Sequence, residues 1–303
     1  MSAKRPSLAI LTHSLDSFSS TRYFVHLMIP RWEAMGFRVA VVNDAKTFVP
    51  ADAALLHVDL SVVPDSYLRL AERYPIVFNG RVLDIRKRRF SRQILDRKDA
   101  YSGSVIVKTD CNYGGWREFR QGILESPIGS VMRRLDIEES GCRKLARIEA
   151  RLPWRWRRMC SVGTYPVYDR RELVPRGVWN NPNLVVERFA AERAGDNYCC
   201  RHWVFFGCKE VSRRSISPEP IVKASGTIER LTDPVPEALR AIRKELGFDY
   251  GKFDYGIVDG RVLLYDVNRT PGATADPGKH TESANLLSEG LPAALETSGK
   301  CFV

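Results

Sequence analysis

Along the first eighty residues, short apolar runs alternate with stretches whose apolar positions recur at helical spacing. SLAIL at Ser7 to Leu11 and RVAVV at Arg38 to Val42 read as strands, and Arg22 to Met35 between them reads as an amphipathic helix capped by Gly36. An apolar run from Ala53 to Val58, a helical stretch around Ser66 to Arg73 and the strand PIVFNG carry the alternation on to Gly80. This order predicts a parallel sheet with crossover helices. The turn after the first strand is LTHSLDSFSS rather than GxGxxG, which argues against a dinucleotide site there.

From Ser104 the texture changes. SVIVK, NLVVERF, HWVFFG, FDYGIV and RVLLYDV are short β-rich segments between glycine-containing turns, and they predict antiparallel pairing. The last two are joined by Asp259-Gly260, a dipeptide that favours a two-residue hairpin. Neither an internal repeat nor a low-complexity linker interrupts the chain.

Composition adds bounds. The 303 residues, 44% of them apolar, suffice for two or three compact lobes. No apolar run is long enough to cross a bilayer and none follows the basic start MSAKRP as a signal peptide requires, so a cytoplasmic, membrane-free protein is expected. Seven cysteines, Cys111, Cys142, Cys160, Cys199, Cys200, Cys208 and Cys301, form no CxxC pair, and the five histidines are scattered; reduced thiols and no zinc site are the expectation. The net charge of +11 is concentrated between Arg143 and Arg158, where seven basic residues face the single acid Glu149. Such a stripe attracts ATP, an acidic substrate, nucleic acid or a membrane surface, or is simply a solvated basic face.

The strongest chemical signal is the hairpin. Asp254 lies on its first strand, and Asp266 and Asn268 lie two apart on its second, where period-two geometry puts them on one face. Two carboxylates and an amide oxygen make a hard-oxygen cradle suited to Mg²⁺ shared with nucleotide phosphates. A second signal is VIVKTDCNYGG, in which a strand delivers Lys108 ahead of Gly114 and Gly115, and paired glycines let backbone N–H groups approach phosphate closely. No GKS or GKT follows, so this is not a Walker loop.

Lysine and glycine loop, then NLVVERF, then LGFDYGKFDYGIVDGRVLLYDVNRTPG: in this order the segments resemble the ATP-grasp superfamily from about Arg81 to the C-terminus. The resemblance implies a combined α/β and α+β fold: a Rossmann-like pre-ATP-grasp lobe over 1–80, then a two-lobed ATP-grasp domain over 81–303 that holds ATP between antiparallel sheets. It implies that Lys108 and Lys87 touch the nucleotide phosphates, with Lys98 competing for the second role. It also implies that the backbone from Glu187 through Arg188 to Phe189 reads adenine, that Glu192 binds ribose, and that Arg201 clamps the transferred phosphate. Arg213, Arg214 and Lys223 are further candidates for the same cleft.

The chain departs from the family pattern at Asp266, where glutamate is usual, and in the long stretch from Lys108 to Glu187, which predicts a basic insertion at about 120–160 carrying Trp154 and Trp156. The shorter acid is expected to change the metal spacing or the number of tightly held ions. The implied activity is Mg-ATP-dependent joining of a carboxylate, small-molecule or peptide, to an amine through an acyl phosphate. A hydroxyl kinase of the same fold and a non-catalytic nucleic-acid or partner-binding module are the rivals. Arg22, Tyr23 and the serine-rich turn are substrate-side candidates, and a homodimer is the default assembly.

Overall fold

The computed structural model describes residues 5–160, 165–223, 227, 229–273 and 277–296; Cys301 lies outside them. Strands β1 (Ser7–Leu11), β2 (Arg38–Val42), β3 (Ala53–Leu56) and β4 (Val77–Phe78) form a sheet in the order β2-β1-β3-β4 with every pair parallel. β1 and β3 are buried along their whole length, and strands buried on both faces read as unbroken apolar runs. Helix α1 (Val25–Ala34) is closed by Gly36 at φ +92°, and α2 (Asp65–Ala71) precedes β4. α1 starts three residues later than its apolar periodicity suggests because Arg22 to Phe24 pairs with the far end of the chain. Phe24 N donates to Pro271 O at 2.7 Å, and Ala273 N donates to Arg22 O at 2.7 Å.

After the short helix α3 (Lys87–Phe90), strand β5 (Val105–Thr109) lies between β6 (Val167–Tyr168) and β7 (Leu184–Arg188) in a small antiparallel sheet. Between β5 and β6 the chain detours through α4 (Trp116–Leu124), α5 (Pro127–Arg134) and α6 (Glu138–Glu149), which share a core of Phe119, Ile123, Leu124, Met132 and Cys142. This detour accounts for the long separation between Lys108 and Glu187. The short helix α7 (Arg176–Trp179) leads into β7.

The largest sheet is antiparallel, with β11 (Glu229–Thr232), β10 (Lys209–Ser217), β9 (Asn197–Phe206), β12 (Tyr250–Val258) and β13 (Arg261–Asn268) in that order and β8 (Glu192–Ala194) also beside β9. One face packs Trp203, Phe205, Phe253 and Tyr255 against Leu239 of α8 (Glu237–Leu246). By alternation the other face carries Cys200, His202, Lys252 and Asp254. The β12–β13 turn uses Asp259 at φ +50° and Gly260 at φ +72°, the left-handed pair that two-residue hairpins demand. The ladder pairs Asp254 with Asp266, then slips to pair Tyr255 with Leu264, leaving Tyr265 as a bulge. Helices α9 (Thr281–Ser288) and α10 (Gly290–Glu296) pack on α1, and Trp32 Nε1 donates to Ser288 O at 2.9 Å. Among the described residues no helix is long and apolar enough to cross a membrane.

Two polar ties join the N-terminal and C-terminal sheets. Arg269 is fully buried, with Nη1 donating to Val82 O at 2.8 Å and Nη2 to the carbonyls of Leu60 and Ser61 at 3.2 and 3.3 Å. Asn79, at φ +61°, accepts from the amides of Asp249 and Tyr250 at 3.0 Å and donates to Tyr250 O at 2.8 Å.

Candidate active-site cleft

A cleft of about 260 Å³ separates the small sheet from the polar face of the large one. Of the residues singled out in the sequence, Lys87, Lys108, Arg188, Phe189, Asp254 and Asp266 line it, and so does Lys223. Lys98 is exposed and does not line it.

Lys108 Nζ lies 2.7 Å from Glu187 Oε2 and donates to Tyr265 O at 3.4 Å. Burial pushes the Glu187 carboxyl up, but Lys108, Ser91 and Lys87 together outweigh this and leave it below the ordinary range. Glu187 is therefore an anionic anchor beneath Lys108, and its side chain does not reach the cleft. Lys87, almost wholly buried, lies 3.4 Å from Asp266 Oδ1. Asp254 Oδ1 lies 2.9 Å from Lys252 Nζ and 2.5 Å from His202 Nδ1. Burial raises the Asp254 carboxyl, yet these two neighbours together hold it well below the carboxylate range.

These residues fit a magnesium ion. Asp254 and Asp266 are direct cross-strand partners facing one cleft, and the ammonium groups of Lys252 and Lys87 beside them stand in for a cation. Asn268 shares their face but is committed to a turn: its Oδ1 accepts from Thr270 N at 2.8 Å and Thr270 Oγ1 at 3.3 Å.

Several expectations are corrected. Arg201 does not face the cleft. It alternates with Cys200 and His202, and its guanidinium holds Glu192 with contacts of 2.7 to 3.0 Å and Asp233 at 3.2 Å. Glu192 does not line the cleft, and its carboxylate is taken by Arg201 and by Ile257 N at 2.7 Å. Arg214 joins Asp233 at 3.3 Å on that same far face, and Arg213 donates to Ser283 Oγ at 3.0 Å. The amides of Arg188 and Phe189 donate to Gln93 O and Ser104 O at 2.9 and 2.8 Å, so those N–H groups are not free for a base edge. Gly114 and Gly115 are buried rather than forming an open loop. Gly114 O accepts from Cys160 N at 3.1 Å, and a Cβ at Gly115 would sit 2.7 Å from Arg158 O.

Part of the basic stripe is paired within the helical detour and the segment that follows it. Arg158 reaches Glu149 at 3.2 Å, Arg143 reaches Glu139 at 2.8 Å, and Arg157 stacks 4.0 Å from the Trp154 ring centre. A groove of about 880 Å³ on the other side of Arg188 is larger than the cleft, but no pair of facing carboxylates and lysines lines it.

The serine-rich turn and Tyr23 meet the C-terminal strand at a polar cluster. Asp59 accepts from Tyr23 OH at 2.6 Å and Thr270 Oγ1 at 2.8 Å and pairs with Arg117 at 2.6 Å, while Tyr23 OH also reaches Asp16 at 2.8 Å. Sequence reading missed Lys252, His202, Cys200 and Tyr265. The signal was present in the alternation of CRH and KFD, which puts Cys200 with His202 and Lys252 with Asp254.

No family model matches the chain, and no curated protein does. Among solved structures it is similar to the macrocyclase MdnC bound with precursor peptide MdnA from Microcystis aeruginosa, at 9% identity, covering 95% of this chain and 99% of that one, with a TM-score of 0.50. It is also similar to a RimK-domain ATP-grasp protein from Sphaerobacter thermophilus, at 15% identity over 94% and 99% of the two chains with a TM-score of 0.47. A D-alanine–D-alanine ligase from Bacillus anthracis matches at 13% identity over 98% and 97% with a TM-score of 0.47. These likenesses are of fold alone: the chain shares the architecture of the macrocyclase MdnC.

Proposed function

We propose that the chain is a Mg-ATP-dependent carboxylate–amine ligase. The observation that carries this reading is the opposition, across one cleft, of Lys87 and Lys108 to the cross-strand pair Asp254 and Asp266. Phosphoryl transfer needs chiefly positioning and charge neutralisation, and this set supplies both. Lys87 and Lys108 bind the phosphates, and Phe189 and Tyr265 wall the base. Asp254 and Asp266 hold Mg²⁺, which, when bound, neutralises charge on the transferred phosphoryl group. The γ-phosphoryl group passes to a substrate carboxylate, giving ADP and an acyl phosphate. An amine then attacks the carbonyl, releasing phosphate and forming the amide.

The cluster of Asp59, Tyr23, Arg117 and Thr270 marks the substrate side, because Thr270 follows Asn268 by two residues and the Arg117 guanidinium is a carboxylate-binding group. The macrocyclase of the same fold was solved with a precursor peptide, which makes peptide carboxylates the first substrates to screen. The test is an ADP-release screen over carboxylate and amine mixtures with mass spectrometry of the products. An amide with free phosphate is expected. A stable phosphoester would identify a kinase instead, and no nucleotide consumption in any mixture would refute both.

A further inference from the structure

Cys200 and His202 lie two apart on one face of β9, Cys200 lines the cleft, and Asp254, which also lines it, is the direct cross-strand partner of His202 on β12. A sulfur, a ring nitrogen and a carboxylate oxygen from these three residues lie within 4.8 Å of one another. A tetrahedral ion with Zn–S of about 2.3 Å and Zn–N of about 2.0 Å requires ligand separations of about 3.5 Å, so side-chain rotation must part His202 Nδ1 from Asp254 Oδ1, now 2.5 Å apart, and bring the sulfur to both. Thiolate, imidazole and carboxylate form a borderline-soft donor set, which favours Zn²⁺ or Cd²⁺ over the six-oxygen coordination that Mg²⁺ prefers.

A second observation points to a cation at this spot. Lys252 Nζ lies 2.9 Å from the same Asp254 oxygen that faces His202. A point charge on a flexible stem fills the position and can withdraw from it.

We propose that Cys200, His202 and Asp254 form a site for a borderline-soft divalent ion, with Lys252 as the resident counter-charge when the ion is absent. The ion and Mg-nucleotide then exclude each other, since both need Asp254. The site stands on its own geometry, whereas the exclusion rests on the nucleotide reading of the cleft.

Cd²⁺ is the probe, because Cd–thiolate absorption reports the sulfur ligand directly. Titrated into the full chain without nucleotide, it should give one thiolate-bound ion per chain. The signal should vanish in Cys200→Ser and weaken by about tenfold or more in His202→Ala. It should tighten about threefold in Lys252→Met and stay unchanged in Cys208→Ser. Absorption that survives in Cys200→Ser, or weaker binding in Lys252→Met, overturns the site. If Cys200→Ser does not fold, His202→Ala and Lys252→Met still decide the matter. Calorimetry with Mg-ATP separates the two readings. Mg-ATP binding undisturbed by bound Cd²⁺ overturns the exclusion, while absence of Mg-ATP binding to the metal-free protein refutes the nucleotide reading and leaves the Cd²⁺ site standing.

Discussion

Lys108 on β5 is tethered by Glu187 on the neighbouring strand β7, whose side chain is 2% exposed and 2.7 Å away. Removing one partner of a buried pair typically costs about 3–5 kcal/mol. Glu187→Gln should therefore lower stability by an amount of that order in chemical denaturation, and it should weaken ATP binding although Glu187 does not line the cleft. The native Glu187 carboxyl sits below its unfolded value, so its contribution is present above about pH 4.3 and is lost as acid titrates it through the lowered native value. The acid limb of the stability curve should be shallower in the variant.

Asp266→Ala should abolish ATP turnover in a protein that still folds, with a modest fall in melting temperature because the buried Lys87 ammonium loses the partner 3.4 Å away. A variant that consumes ATP at the wild-type rate with substrate present would count against the metal assignment.

Arg201→Ala should do the reverse. Its guanidinium joins Glu192 and Asp233 behind the large sheet, so about 3 kcal/mol of stability should go. ATP turnover per folded molecule should persist; its loss in a folded variant would return Arg201 to the chemistry.

Gly256 lies beneath Tyr265, and a Cβ there would be 2.1 Å from the phenolic oxygen. That hydroxyl donates to Ala190 O at 2.9 Å and accepts from Glu192 N at 3.3 Å, bridging β13 to the wall of the cleft. Gly256→Ala should cost about 1–3 kcal/mol and loosen nucleotide binding, as read by denaturation and ATP titration.

Burial, with the nearby Asp59, raises the Asp16 carboxyl to about 6 against opposing help from Tyr23. Between about pH 4 and 6 the native state then holds a proton that the unfolded chain has released, so stability falls as pH rises through that window. Asp16→Asn should flatten this segment of the profile; a parallel curve would show that another group titrates there.

The parts of this fold legible in the sequence are those fixed by local periodicity. SLAIL and RVAVV became parallel strands, and Asp259-Gly260 turned the hairpin that brings Asp254 opposite Asp266. Where reading failed, the deciding partner lies far along the chain. Arg201 and Cys200 are neighbours, but only the packing of β9 decides which faces the cleft, and Arg201 finds Asp233 behind it. His202 meets Asp254 through the pairing of β9 with β12, a contact spanning 52 residues, whereas Lys252 lies two residues from Asp254 on β12 itself. The glycines after Lys108 looked like an open phosphate loop because nothing local announces that Arg158 and Cys160 close over them.

The burial of Arg269 bears on how the molecule breathes. Three carbonyls of the N-terminal half grip a guanidinium that sits one residue past Asn268, and Asn79 fastens the start of β12 in the same way. Prising the two large sheets apart would strand a charge in an apolar interior, so they travel as one block.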